Sequence, residues 1–480
     1  MCLLTAGAVL VHGYHPFAED AEIYVPGIKK LLNPDLYSTN QGFFASHASM
    51  TFYPNLVAWS ARTTHLPLEW ILLTWHFVSI FALLAGCWKV GNICFRSPRA
   101  GWGGSMLVAT LLTIPVAGTA LYIMDQYSNP RSFSTATAVW IVASALEKKY
   151  LQAILWVLLT ALVHPLMAVF SLGFILLLAI ANRFQSSANQ RELALPAMLF
   201  PPVTPTYLRA LDSRSYFFIL RWQWSEWLGI FGPIAILWAF GSWAQRRKLK
   251  ALQQLCLTSI VFCFLCLAAA LVITIPPALI RFAELQPMRG LLLVYVFLLV
   301  VGGGWLAEYV LKGKLWRWLV LFLPMAAGMC YAQRQLFPAT HHLEFPGRQP
   351  GNAWVETFLW IRDNTPTNAY FALNPEHMRM PGEDQHGFRA VAERSMLADD
   401  VKDSGAVTMF PALAQTWQEQ VDAQRGWNDF SRPDFEKLRA RFGVNWFVLD
   451  QRQISGMECP YKNSGLYVCR IPEPTVGTVE

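Results

Sequence analysis

The sequence predicts a polytopic α-helical membrane protein of about eleven crossings, followed by a small C-terminal α/β domain outside the cytoplasm. Three observations predict it. Of 480 residues, 54% are hydrophobic and only 14% charged, against roughly 25% charged in soluble globular chains. Uncharged or nearly uncharged runs follow one another as far as residue 333. From about His341 the composition turns polar and acidic: residues 1–340 carry 24 Lys/Arg and 12 Asp/Glu, residues 341–480 carry 14 and 19. The basic excess therefore belongs to the apolar half, where basic loops set orientation. The polar half has no basic stripe, so the partner implied is a lipid bilayer and not nucleic acid.

The elements follow in order. Cys2–Val11 is apolar but shorter than the ~20 residues a span needs, so either the start is truncated or this helix is partial. It lacks a basic n-region and a cleavage site, which argues against a cleaved signal peptide. Residues 12–50 form a polar, aromatic and acidic first outer loop. Phe52–Arg62 is too short to cross and reads as an interfacial helix anchored by Tyr53 and Trp59. Crossings are expected over Trp70–Trp88, Gly101–Met124 and Ser132–Leu146. Tyr150–Asn182 is interrupted by His164-Pro165, and proline there breaks a helix into two short spans. Leu193–Val203 must cross or part-cross to keep the parity. Trp227–Gln245, Ala251–Ile280, Gly290–Ala307 and Trp318–Gln333 complete the set.

Loop charge gives the orientation. The loops assigned to the cytoplasm hold 14 basic residues in about 40 positions; the others hold nine in about 97. The positive-inside rule then places the N-terminus in the cytoplasm, with residues 12–50 and the C-terminal domain outside it. The chain divides into a transmembrane part (1–340), a linker (341–352) and an extracytoplasmic α/β domain (353–480). In the last, Val355–Arg362 and Pro411–Trp427 read as helices. A third starts at a Ser431 cap and stops at Gly443. Tyr370–Leu373, Phe388–Ala392, Val444–Leu449 and Leu466–Ile471 read as strands. Cys459 and Cys469 flank the turn Lys462–Gly465; outside the cytoplasm a disulfide persists, and the sequence leaves open a bridge or two free thiols. Cys263 and Cys266 match CxxC, but in an apolar helix they read as core.

Within residues 12–50, Glu19, Asp20 and Glu22 lie among Tyr14, His15, Phe17 and Tyr24. With the many spans and the tail domain, this layout resembles the GT-C superfamily of membrane glycosyltransferases. The segments GYHPFAEDAEIYVPGIKKLL, MDQYSNPRSFSTATA, ALVHPLMA, WQWSEWLG, LQPMRG, WIRDNTP and FGVNWFVLD are similar to those of bacterial multi-span membrane proteins with that architecture. The resemblance implies a polyprenyl-phosphate sugar as donor, a bacterial inner-membrane location, and an acid of the first outer loop, here Asp20 or Glu19, as catalytic base. It leaves a divalent metal open, and Asp125 is the nearest match to a second acidic motif.

Glycosyl transfer needs a base at the acceptor and a stabilised phosphate leaving group. Asp20 and Glu19 fit the first role; acids favouring a helix N-terminus are the alternative. Arg131, Arg281 and Arg289 stand at outer membrane edges and suit fork-like phosphate binding; the alternative is pairing with Asp125 and Glu284. His164 is an intramembrane ionisable group, functional by default unless it serves packing. Tyr216, Trp222, Trp224 and Trp227 with Arg214, Arg221 and Glu226 form a strip that suits either sugar stacking or an interfacial belt. His15, with His12 and His47, shares the first loop without a regular ligand spacing, so no metal site is read there. Three functions follow: a glycosyltransferase, a non-catalytic protein that binds a lipid-linked glycan or a partner, and a transporter. The last lacks the internal repeat such folds carry.

Overall fold

A computed structural model describes residues 1–183 and 203–472. The expected crossing at Leu193–Val203 lies outside the described residues, except Val203. The chain opens with α1 (Cys2–His12), which ends at Gly13, φ 86°. His12 belongs to this helix and ties it inward, its Nδ1 2.7 Å from Thr113 Oγ1 and its Nε2 2.9 Å from Ala109 O.

Residues 12–50 are not an open loop. They fold into α2 (Ala21–Leu32) and α3 (Gly42–Met50). Ala21, Val25 and Ile28 fall on one face of α2 and pack on α4 (Tyr53–Thr64) and α5 (Leu68–Phe95). Burying that stripe is what makes a helix of a stretch that looks polar. The interfacial reading of α4 is half corrected. Trp59 is exposed, but Tyr53 is buried and its hydroxyl meets Ser128 Oγ at 2.7 Å.

Among the described residues, five helical runs are long and apolar enough to cross a membrane: α5, α11 (Trp224–Arg246), α12 (Lys250–Thr274), the run Pro277–Leu311 with α13 (Leu291–Trp305) at its centre, and α14 (Leu315–Leu336). That is fewer than the expected number. The crossing read over Gly101–Met124 is corrected. Its helix, α6 (Pro98–Thr110), is followed by irregular buried backbone. Pro115, Gly118 and three threonines break the helix, and the freed groups are satisfied inside the protein, Val116 N–H to Leu121 O at 2.8 Å and Met124 N–H to Leu112 O at 3.0 Å. Such backbone is tolerated at membrane depth only where protein surrounds it. A side chain at Gly103 of α6 would collide with Gly303 and Ala307, so the glycines set how closely α6 and α13 approach.

Next come α7 (Pro130–Leu146), α8 (Tyr150–Val163) and α9 (Pro165–Arg183), the last two separated at His164 as expected. A short helix, α10 (Pro205–Asp212), precedes α11.

The tail domain is a five-stranded sheet in the order β2-β1-β3-β5-β4. It contains α15 (Ala353–Asn364), β1 (Tyr370–Ala372), α16 (Phe388–Ala392), β2 (Ser395–Met396), α17 (Asp403–Met409), α18 (Ala414–Ala423), α19 (Arg432–Phe442), β3 (Trp446–Asp450), β4 (Glu458–Lys462) and β5 (Leu466–Arg470). β1 pairs in parallel with β2 and β3; β5 is antiparallel to β3 and β4. Alternation decides the two cores. Phe371, Val448 and Val468 face Trp354, Phe358 and Phe388; Tyr370, Phe447 and Leu449 face Phe435 and Leu438. Ser431 and Asp434 form a capping box on α19, and Gly443 ends it at φ 76°. Cys459 and Cys469 are bridged.

Two tail readings are corrected. Pro411–Trp427 is not one helix: Pro411–Leu413 is a 3₁₀ turn before α18, and the chain turns at Gly426, φ 81°. Phe388–Ala392 is a helix, not a strand. The reason is remote: the Glu22 carboxylate accepts the N–H groups of Arg389 at 3.1 Å and Ala390 at 3.0 Å. An acid on the free N–H groups of a helix start offsets its local β preference.

Candidate functional site

Asp20 is the N-cap residue of α2, and its backbone N–H is held by the Tyr127 hydroxyl at 3.2 Å. Glu19 precedes it with φ 56° and is fixed by its N–H to Gln385 O at 2.8 Å. Both carboxylates meet Lys402, which lies at the start of α17 in the tail domain. Its Nζ donates to Asp20 Oδ1 at 3.0 Å and also to Glu19 Oε2. The other Asp20 oxygen lies 3.7 Å from the Arg131 guanidinium.

Arg131 sits in the first turn of α7, whose start is prepared by Pro130 and by the Asn129 cap on Ser132 N–H. It donates to Asp125 at 2.6 Å. Asp125 also accepts from Asn129 at 2.6 Å, so it positions Arg131 and is not a free second acid. Arg289 approaches from the start of α13 and lies over the Tyr216 ring at 5.2 Å. Among the described residues no carboxylate lies within ion-pair distance of it. Arg214 donates to Val401 O and, at 2.9 Å, to Ser404 Oγ.

These groups border a cavity with two lobes. One, about 150 Å³, also meets Tyr24, His47, Met50, His164, Pro165 and Met409. The other, about 270 Å³, also meets Glu19, Tyr122, Asp125 and Tyr127. Asp20, Arg131, Arg214, Tyr216, Arg289 and Lys402 line both and form the partition. Beside the first lobe, Met50, Phe52 and Leu162 are exposed apolar residues, and Phe52 N–H bonds to Leu162 O at 2.8 Å.

The electrostatics follow from the packing. Burial acts to raise the Asp20 carboxyl, but Lys402 and then Arg131 overcome it and hold Asp20 well below the usual carboxylate range. Burial acts to lower Lys402, and Asp20 and Glu19 reverse that, so it keeps its charge. Burial pulls His47 down to about 4 against the attraction of Asp20, leaving it neutral near pH 7.

Asp20, Glu19, Arg131, Arg289, His164 and Asp125 thus come together, as do Arg214 and Tyr216 of the aromatic strip. Arg281, His15, Glu22 and Trp224 do not. Arg281 lies over Phe282 at 5.1 Å, outside the cavity. His15 is buried, stacked on Phe337 at 3.9 Å and bonded to Glu344 at 2.9 Å, where it ties the first segment to the linker. Glu22 turns away to Arg389. Trp224 is 79% exposed and does not line the cavity. Lys402 carried no signal in the sequence: one lysine in a polar tail, brought in by folding. Asp125 and Glu19 are already held by cations, and among the described residues no three acidic, cysteine or histidine side chains converge to hold a metal. These residues do not fit a metal centre.

A scan of protein-family models returned no match to this chain, and neither did a search of curated protein sequences. The site sets a carboxylate pair against an ammonium and three guanidiniums, of which Arg214 and Arg289 have no acidic partner within ion-pair distance among the described residues, in a cavity with an apolar edge. That combination can hold an anion beside a proton acceptor.

Proposed function

We propose that this chain is an integral membrane glycosyltransferase of GT-C type, taking a sugar from a polyprenyl-phosphate donor at the extracytoplasmic face of a bacterial inner membrane. The observation that carries the reading is Arg289, a cation without an acidic partner among the described residues, in the same cavity as Asp20. Ionisable groups at membrane depth are costly and are kept for function, and guanidiniums suit phosphate oxygens. The donor phosphate would meet Arg289 and Arg131. Its prenyl chain would leave past Met50, Phe52 and Leu162 into lipid. The acceptor hydroxyl would enter the second lobe beside Asp20.

The reaction then balances simply. Asp20 takes the acceptor O–H proton as the acceptor oxygen bonds to the anomeric carbon. The bond from that carbon to the phosphate oxygen breaks, and its electron pair leaves with the phosphate, whose charge the guanidiniums offset. Loop charge supports the orientation, with the N-terminus cytoplasmic and the tail domain outside.

One observation favours the non-catalytic reading. Asp20 is bound to Lys402 and held well below the usual range, which makes it a weak base in this arrangement. The test is sugar transfer by the purified protein from a panel of polyprenyl-phosphate sugars, with Asp20→Asn and Glu19→Gln alongside. Turnover by the parent that is lost in Asp20→Asn, with folding intact, is expected. Donor binding with no turnover in any of the three would favour the binder.

A further inference from the structure

We infer that Lys402 is an exchangeable counter-ion, which gives up Asp20 and Glu19 for the phosphate of an incoming ligand and so frees Asp20 to take a proton. The part concerning the proton rests on the glycosyl-transfer reading; the exchange itself does not.

The geometry separates a fixed lysine from carboxylates with room to turn. The backbone around Lys402 is fixed: its N–H bonds to Asp399 Oδ1, Asp399 O accepts from Trp417 Nε1 at 3.0 Å, and Asp403 grips Arg389 at 2.6 Å. The Lys402 side chain is 7% exposed, whereas those of Asp20 and Glu19 are each 32% exposed. The carboxylates can therefore turn into the cavity while the ammonium stays in place. Arg289 borders the same cavity without an acidic partner among the described residues, so a phosphate drawn to it arrives beside Lys402. A phosphate offers more charge and three acceptor oxygens, and charge-assisted bonds to it are strong. Replacing carboxylate by phosphate at the ammonium takes a cation away from Asp20, and a carboxyl that loses a nearby cation becomes more basic. The groups facing Asp20 that set this balance are Lys402, Arg131 and Arg289 as cations, Glu19 and Asp125 as acids, and Tyr24, Tyr127 and His47. The tail domain thereby completes the site.

The experiment measures binding of a polyprenyl monophosphate to the full chain in nanodiscs, with inorganic phosphate and the matching polyprenol as separate arms. Because the carboxylate competes with the ligand, Asp20→Asn is expected to tighten lipid-phosphate binding by about tenfold. Lys402→Gln is expected to weaken it by about tenfold or more and to erase the Asp20→Asn gain in the double variant, the signature of a shared partner. Lys402→Arg, which keeps the charge, should stay within about threefold of the parent and guards against misfolding of the glutamine variant. The same pattern with inorganic phosphate assigns the site to phosphate itself; the pattern with lipid phosphate alone assigns it to the lipid headgroup. No tightening in Asp20→Asn, no loss in Lys402→Gln, or equal binding of polyprenol overturns the exchange. The two ideas fail separately. Exchange without sugar transfer refutes the glycosyl-transfer reading alone, and transfer without exchange refutes this one.

Discussion

Arg389→Met tests how the first segment and the tail domain are joined. Arg389 is buried, 2% exposed, among three buried carboxylates: Asp403 at 3.0 and 2.6 Å, Glu22 at 3.1 Å and Asp399 at 3.9 Å. Methionine keeps much of the volume and removes the charge. Breaking a buried pair from one side costs about 3–5 kcal/mol, because the partner is left uncompensated. For a unit the size of the tail domain this lowers the melting temperature by roughly 10–15 °C. The loss must depend on pH. Burial already pushes Glu22 up to about 8 and Asp403 up to about 6, against the pull of Arg389. A carboxyl raised on folding binds its proton more tightly folded than unfolded, so stability falls as pH rises through that window. Removing Arg389 raises both carboxyls further, so the gap between variant and parent widens from pH 5 to pH 8. At pH 5 both carboxyls carry protons and the loss shrinks. The assay is a thermal scan of the purified protein at the two pH values, followed by proteolytic release of the tail domain. A loss below about 1 kcal/mol at pH 8, or the same loss at both pH values, would refute the reasoning.

Two further predictions concern the same junction and the sheet edge. Burial acts to lower His386, but Glu344, 3.0 Å away, raises it to about 9; this contribution is complete below about pH 6.5 and is lost as pH rises through 9, so Glu344→Gln should flatten the fall in stability between those values in pH-resolved thermal scans, and an unchanged slope would exclude the pair as its cause. The bridge between Cys459 and Cys469 closes a short loop at a sequence separation of 10, so the double serine variant should lose about 2–3 kcal/mol of tail-domain stability while sugar transfer by folded protein stays unchanged; protease resistance against temperature reads the first and turnover the second.

Much of this molecule is written in neighbouring residues. Runs without charge marked the long apolar helices α11 and α14 to within three residues at each end, and α5 and α12 with C-terminal ends seven residues too early and six too late. The strands read at Tyr370–Leu373, Val444–Leu449 and Leu466–Ile471 are β1, β3 and β5, and Ser431 with Gly443 marked both ends of α19. Glu19, Asp20, Arg131 and Arg289 stood out because charge beside apolar segments is expensive wherever they fold.

Other features came only with the fold. Gly101–Met124 is apolar enough to cross, yet Pro115 and Gly118 turn it inside a protein cage that hydropathy does not see. Phe388–Ala392 has strand-like residues and becomes α16 because Glu22 reaches its N–H groups from 367 positions away. His15 and Arg281 had the right chemistry and found other partners. Lys402 had no local mark at all, and it meets Asp20 across 382 residues. Hydropathy and capping act over one or two turns of chain, so sequence alone determined many of the elements and much of the charge available to the site. Which cation faces which carboxylate depends on distances of about 3 Å between segments far apart in the chain, and only the packing of the tail domain onto α2 and α3 decided that.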